Sequence, residues 1–162
     1  MCLGKAWNLF LGMFVIFALT GCIAEDYDVG VPTAHLSAES HLVAGSQYIQ
    51  LTEANIDWRS SSGEVEENIG NIEEFGLSQE KINVFPNQEA SVEFEENKEN
   101  GGDIWTDPTI TAALWKNGEK TDINWNEYRE FQFPANKGNY VLEVTFTTGN
   151  KTAQYVGNIV IE

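Results

Sequence analysis

The sequence predicts an all-β fold, an antiparallel sandwich of about seven or eight short strands. Apolar and polar residues alternate with a period of two in several segments, which is the pattern of strands with one buried face. Glycine, asparagine and proline residues that favour turns separate these segments. The only weak helix candidate is the stretch at residues 66–75, and Gly70 interrupts it.

The N-terminal half of the folded part contains three predicted strands. Residues 33–37 and 48–51 are the first two, with Gly45-Ser46 as a turn between them, and residues 54–58 are the third. Residues 59–72 are polar and contain glycine, so they predict a long exposed loop.

The C-terminal half carries the stronger strand signals, and its last hairpin is the strongest of all. A turn at residues 148–151 leads into a closing strand at 153–161. Asn117-Gly118 supplies the positive φ angles of a type I′ turn after a buried strand. One face of the strand at 140–146 is predicted to consist of Tyr140, Leu142, Val144 and Phe146. The other predicted elements are strands at 82–84, 90–94 and 109–115, a turn at 86–87, a charged loop at 95–102, and the alternating pair Phe131 and Phe133.

The segment Lys137-Gly138-Asn139-Tyr140-x-Leu142-x-Val144 resembles the penultimate strand of an immunoglobulin-like domain. In such domains a tyrosine after a glycine-rich corner packs inward and its hydroxyl bonds to nearby backbone. Together with residues 114–119, this segment is similar to the C-terminal half of Ig-like domains in uncharacterised lipoproteins of Gram-positive bacteria. The resemblance covers residues 90–162 and implies an Ig-like sandwich, and it implies no particular activity.

The N-terminus has the features of an export signal. Lys5 precedes an unbroken apolar run at residues 9–19, which is too short to span a bilayer but fits a signal peptide. Leu19-Thr20-Gly21-Cys22 follows and resembles the bacterial lipobox. The resemblance implies cleavage between Gly21 and Cys22 and a diacylglycerol group on Cys22, whose two chains would anchor the protein stably. The alternative is an ordinary signal peptide, or an uncleaved anchor, with an incidental cysteine.

Three regions follow from this interpretation: a helical signal peptide at residues 1–21, an acidic tether at 22–31, and one Ig-like domain at 32–162. Cleavage removes Cys2, and the lipid occupies Cys22, so no disulfide is expected in the mature chain. The formal net charge of −16 argues against a nucleic-acid partner and against lying flat on anionic lipid. We therefore expect attachment to the extracytoplasmic face of the cell membrane through the lipid alone.

Transition-metal binding is not predicted. His35 and His41 are the only histidines, and the mature chain offers no methionine or free thiol to join them. Two histidines in this context are more often surface residues than ligands, so no cofactor is expected beyond the covalent lipid.

Calcium binding is an alternative that the acidic residues leave open. Asp26 and Asp28, and Asp103 and Asp107, place carboxylates beside predicted turns. No EF-hand pattern is present, and a solvated acidic surface is the favoured interpretation. A calcium-responsive acidic module therefore stays as one alternative function.

Enzymatic activity is not predicted. Residues 60–62 are serines beside Gly63, but no Gly-x-Ser-x-Gly motif surrounds them. Asp57 next to Trp58 resembles a sugar-binding subsite in which a ring stacks on an aromatic side chain, although Trp58 fits a core position better. A carbohydrate-binding or carbohydrate-active protein is the second alternative.

Trp105 and Trp125 are the predicted contact residues for a partner. Both lie in polar, loop-like segments, whereas Trp115 ends a buried strand and is expected in the core. Exposed tryptophans on loops are typical of contact surfaces. The alternative is that they close the open edges of the sandwich. The sequence thus favours a non-enzymatic binding module that contacts a protein or a cell-envelope component.

Overall fold

A computed structural model of the chain describes residues 30–40, 45–60, 63–96 and 104–162. These residues form strands arranged in two sheets and one short helix. The elements are β1 (Thr33–Ser40), β2 (Gly45–Gln50), β3 (Thr52–Ser60), β4 (Gly63–Glu67), α1 (Ile72–Leu77), β5 (Lys81–Val84), β6 (Glu89–Glu95), β7 (Thr109–Lys116), β8 (Glu119–Asp122), β9 (Glu130–Gln132), β10 (Gly138–Thr148) and β11 (Lys151–Ile161). The predicted all-β, mostly antiparallel fold is confirmed. The predicted signal peptide, and the tether up to residue 29, lie outside the described residues.

The two sheets differ in size. The four-stranded sheet has the order β2-β1-β6-β9. The seven-stranded sheet has the order β4-β3-β11-β10-β7-β8, and β5 pairs in parallel with the end of β11. The chain passes from the first sheet to the second at Leu51, whose N–H donates to the carbonyl of Ala34 on β1 (2.8 Å).

The main core fills the space between the sheets. Both sheets contribute their inward-facing residues, and the predicted inward face of β10 is confirmed. Aromatic rings occupy the centre: the Phe94 ring lies 5.0 Å from Phe146 and 5.9 Å from Tyr155, measured between ring centroids. Removing one such ring would cost about 3–5 kcal/mol, so this layer contributes strongly to stability.

A second, smaller apolar cluster lies on the outer face of the seven-stranded sheet. Ala54, Val141 and Val156 are fully buried there beneath α1 and the segment before it, through Ile72 and Phe75 among others. β10 and β11 are therefore covered on both faces near α1, which explains why Val141 and Val156 are apolar although they lie on the face opposite the main core.

Specific contacts fix α1 on this face. The Asn71 side chain accepts a hydrogen bond from the N–H of Glu74 and so caps the start of the helix. The buried Asn158 amide on β11 donates to the carbonyls of Leu77 (2.9 Å) and Gln79 (3.0 Å) at its end. Gly76 lies directly against the Val141 side chain, where a Cβ atom would come within 2.3 Å of a methyl carbon.

Some local predictions were wrong in position. Residues 66–67 end strand β4, and the helix begins only after Gly70, at Ile72. Residues 63–67 pair with β3, so this part of the chain is an edge strand and not a loop. Gly45 and Ser46 pair with β1 and belong to β2, so the predicted turn there is also wrong.

The predicted turns later in the chain are confirmed. Asn117 and Gly118 have φ angles of 54° and 81°, as a type I′ turn between β7 and β8 requires. Pro86-Asn87 forms a turn after β5, and Gly149-Asn150 joins β10 to β11. Within the described residues, no helix has the length and apolar character needed to cross a membrane.

Candidate functional site

Several residues that the sequence singled out lie outside the described residues. They are Gly21, Cys22, Asp26, Asp28, His41, Ser61, Ser62 and Asp103. The lipid anchor and part of the calcium alternative therefore stay predictions. Among the described residues, no group of three potential ligands is placed to hold a metal ion.

Trp105 and Trp125 occupy different environments on neighbouring loops. Trp105 is 39 % exposed, and the edge of its ring contacts Phe146 at 6.2 Å between centroids. Trp125 is half-buried and packs against the main core. Arg129, from the loop that carries Trp125, places its guanidinium 5.4 Å from the centre of the Trp105 ring. The two loops are thus joined, with Trp105 the more accessible of the two side chains.

Trp58 is a core residue with 1 % of its surface exposed, so its ring does not form an open sugar platform beside Asp57. The Asp57 carboxylate lies 3.6 Å from the Arg59 guanidinium, on the exposed side of β3.

Trp115 packs under α1 and not between the sheets, and its indole N–H donates to the buried carboxylate of Glu143. The Nζ of Lys120 lies 2.7 Å from the other oxygen of that carboxylate.

The outer face of the four-stranded sheet is the most distinctive polar surface. Strict alternation on β6 buries Ala90, Val92 and Phe94 and turns serine and glutamate side chains outward. The same alternation on β1 buries Ala34, Leu36 and Ala38. Because directly paired residues share a face, Tyr48, Ser37, Ser91 and Glu130 form one row across all four strands.

A trough of about 390 Å³ lies over the part of this row formed by Ser37, Ser91 and Glu130. Ser37 and Ser91 are short and lie in the middle of the sheet, so longer neighbours stand above them as walls. We define the trough by its polar lining residues: Ser37, Glu89, Ser91, Asn126, Glu130 and Gln132. None of the described residues lining it is basic. The volume is within the range of small-ligand sites, but the lining is far more polar than usual.

Two carboxylate–amide pairs form the walls of the trough. The Gln132 amide on β9 donates to Glu89 (3.1 Å) on β6. The Asn126 amide donates to Glu130 (2.8 Å). The Asn126 carbonyl oxygen also accepts from the backbone N–H groups of Tyr128 (2.9 Å) and Glu130 (3.1 Å), which holds the loop before β9 in place.

His35 and Tyr48 lie beside the trough on the same face. Their rings stack with centroids 4.4 Å apart and planes inclined by 11°. His35 is buried, and its Nδ1 has no hydrogen-bond partner among the described residues. Tyr48 is 48 % exposed and donates its hydroxyl to Glu95 (3.2 Å). Desolvation, then the Glu95 carboxylate, raises the pKa of the Tyr48 phenol above its ordinary value.

Sequence reasoning missed the trough because its residues come from four separate segments. Alternation identified the strands at 33–37 and 90–94, and hence which of their side chains point outward. It could not show that β9 lies beside β6, which is what brings Glu130 next to Ser91. No protein-family model, curated protein or solved structure matches the chain.

Proposed function

We propose that this protein is a lipid-anchored binding module, held at the extracytoplasmic face of a bacterial cell membrane and without enzymatic activity. The observation that carries the binding role is the open polar trough on the four-stranded sheet, a preformed concave surface of about 390 Å³. The lipobox-like residues Leu19–Cys22 after an apolar run support the anchor.

The strand order supports an Ig-like domain as the scaffold. In Ig-like sandwiches strand B lies between A and E, and strand F lies between C and G. Here β6 lies between β1 and β9, and β10 lies between β7 and β11. The Tyr140 hydroxyl donates to the carbonyl of Asn136 (2.9 Å), four residues upstream, as in the tyrosine corner of these domains.

The attachment of Pro32, the first residue after the predicted tether, supports a binding surface held a short distance from the membrane. The hydroxyl of the buried Tyr155 donates to the carbonyl of Pro32, which ties the start of the domain to β11. Ser37 lies five residues beyond Pro32, or about 16–17 Å at the rise of a strand. A ligand in the trough would therefore be near the bilayer and accessible from the envelope side.

The anchor is tested with Cys22→Ser in the native host. We expect the variant to be released from the membrane fraction or to keep its signal peptide, because serine cannot accept the lipid through a thioether. Metabolic labelling with a palmitate analogue should label the wild-type chain alone. A variant that is still processed and still membrane-bound would show that the anchor is not on Cys22.

The binding role is tested by crosslinking in intact cells, with wild type compared to Trp105→Ala. Trp105 is exposed and its ring lies 5.4 Å from the Arg129 guanidinium, so its removal should alter a contact surface, at some cost in stability from its edge contact with Phe146. Trp125→Ala is the matched variant, and it should also lower stability because Trp125 packs on the core. Identical crosslinked partners for all three proteins would remove both tryptophans from the binding surface.

A further inference from the structure

We propose that the trough binds a neutral carbohydrate, and that the two carboxylate–amide pairs form hydrogen bonds with the hydroxyl groups of a pyranose ring. This inference rests on the proposed binding function and names its ligand class. The proposed sugar site lies on the four-stranded sheet, whereas Asp57 and Trp58, which the sequence suggested for a sugar, lie on the seven-stranded sheet.

The two carboxylate–amide pairs keep hydrogen-bonding groups that match those of a sugar. A primary amide has two N–H donors, and each wall amide uses one of them on its carboxylate. Among the described residues, the second oxygen of Glu89 and of Glu130 has no protein partner. Each pair therefore offers one acceptor beside one donor. Two adjacent hydroxyls of a sugar offer the complementary donor and acceptor.

The floor of the trough fits the same ligand. The hydroxyls of Ser37 and Ser91 can both donate and accept, so they tolerate either orientation of a sugar hydroxyl. An apolar ligand would bury these groups and the wall carboxylates without replacing their bonds to water, which is costly. An anionic ligand would meet Glu89 and Glu130 and no basic group within the described lining.

Tyr48, beside the trough, offers an aromatic ring to the second unit of a longer sugar. Tyr48 is paired with Ser37 in register, and nearly half of its surface is exposed. The stack on His35 and the bond to Glu95 hold its ring in one orientation. A fixed aromatic ring loses little conformational entropy when the C–H face of a second sugar unit packs on it.

The test uses the full-length chain, purified from membranes in detergent. It is applied to an array of neutral oligosaccharides built from hexoses and N-acetylhexosamines, and the strongest hit is then titrated by calorimetry. Ser91→Tyr fills the trough with a residue that suits a strand, and we expect it to weaken binding about tenfold or more. Asn83→Tyr, on the exposed side of β5 in the other sheet, is the matched control and should leave binding unchanged.

Two further variants keep the test decisive if Ser91→Tyr fails to fold. Gln132→Ala removes one wall amide from an exposed position and should also weaken the titrated sugar. Tyr48→Ala should weaken longer oligosaccharides more than single sugars, whereas Tyr48→Phe, which keeps the ring, should preserve binding. Because the ligand is uncharged, added salt should change the affinity little.

The outcomes separate this inference from the proposed function. A wild-type chain that binds no glycan, or that binds one equally well in Ser91→Tyr and Gln132→Ala, overturns the inference. A parallel titration with polylysine also decides: binding that Ser91→Tyr abolishes, with no glycan bound, overturns the inference, since the trough would then bind a cation. If the array is blank but crosslinking still captures a Trp105-dependent partner, the binding module stands and only its carbohydrate ligand is rejected.

Discussion

The two outer faces of this sandwich differ in what covers them. On the seven-stranded sheet, α1 covers Val141 and Val156, and Asn158 and Glu143 are buried with their polar groups paired. On the four-stranded sheet the outward side chains are polar and surround an open trough. A sandwich needs only one buried face per sheet. The covered face therefore adds stability, whereas the open face is available for a ligand.

The largest loss of stability is expected for Gly76→Ala, which disturbs the packing of α1 on the covered face. Alanine normally stabilises a helix relative to glycine by about 0.5–1 kcal/mol. Here the new Cβ would meet the buried Val141 side chain at 2.3 Å, so either α1 or Val141 must shift from its packed position. We expect the free energy of unfolding to fall by about 1–3 kcal/mol, measured by urea denaturation.

Two companion variants show whether the clash is the cause. Gly70→Ala lies before the helix with open space around it, and it should leave stability nearly unchanged. Val141→Ala makes room for the new methyl group, so the double variant with Gly76→Ala should be less destabilised than the two single effects added together. Strict additivity would mean that α1 does not rest on Val141 as described.

The next effect concerns the buried carboxylate on the same face. Lys120→Met removes the ammonium group 2.7 Å from Glu143 and leaves that carboxylate with the Trp115 indole as partner. The Lys120 side chain is 42 % exposed, so solvent screens part of the interaction. We expect a loss of about 1–2 kcal/mol in urea unfolding, less than for a fully buried pair.

Removing the charge of Glu143 as well checks whether the unpaired carboxylate causes the loss of stability. Glu143→Gln added to Lys120→Met should recover part of the loss, because no unpaired charge is left under α1. Lys137→Met removes an exposed lysine and should have little effect. If it destabilises the protein as much as Lys120→Met does, net charge and not the Glu143 contact explains the change.

The open face should tolerate changes that the covered face does not. Removing both hydroxyls in Ser37→Ala/Ser91→Ala takes no packed group from the core, so stability should change by no more than about 0.5 kcal/mol. Thermal unfolding of the double variant beside wild type measures this. A loss as large as that of Gly76→Ala would mean that the trough is a structural feature, and the contrast between the faces would fail.

The sequence predicted the strands far better than it predicted how their outer faces are used. Alternation and turn residues located β6, β10 and β11 because local chemistry determines them. The helix begins later than the sequence predicts because the Asn71 side chain caps it, and the spacing of Asn71 to Glu74 is the capping signal that marks this start.

The trough and the cover depend on which strands become neighbours. The sequence identifies Val141 only as a strand residue. Its contact with α1 could not be predicted, because α1 lies about 65 residues earlier in the chain. Likewise, Glu130 becomes part of the trough only because β9 pairs with β6 and brings it next to Ser91. The apolar Val141 and Val156, on the faces of β10 and β11 opposite the main core, were the available sign that this sheet is covered on both faces.

The smallest expected effect is a pH dependence at the edge of the seven-stranded sheet. A bulge between β3 and β11 places Glu53 opposite the core residue Tyr155. Burial, followed by repulsion from Glu67, raises the pKa of the Glu53 carboxyl. Burial likewise raises the pKa of the Tyr155 phenol, with Glu53 as the second cause. The carboxylate is thus less favourable in the folded state than in the unfolded chain.

The sign of the effect follows from proton linkage. Between its unfolded and folded pKa values, Glu53 binds more protons in the native state, so its contribution to stability falls as pH rises through that window. Glu53→Gln should therefore raise the melting temperature at neutral pH and leave it unchanged below the ordinary carboxyl pKa of about 4.3. Glu66→Gln, on the exposed strand β4, removes the same formal charge and is the control. If both variants show the same gain at neutral pH, relief of the overall negative charge explains it, and the local environment of Glu53 does not.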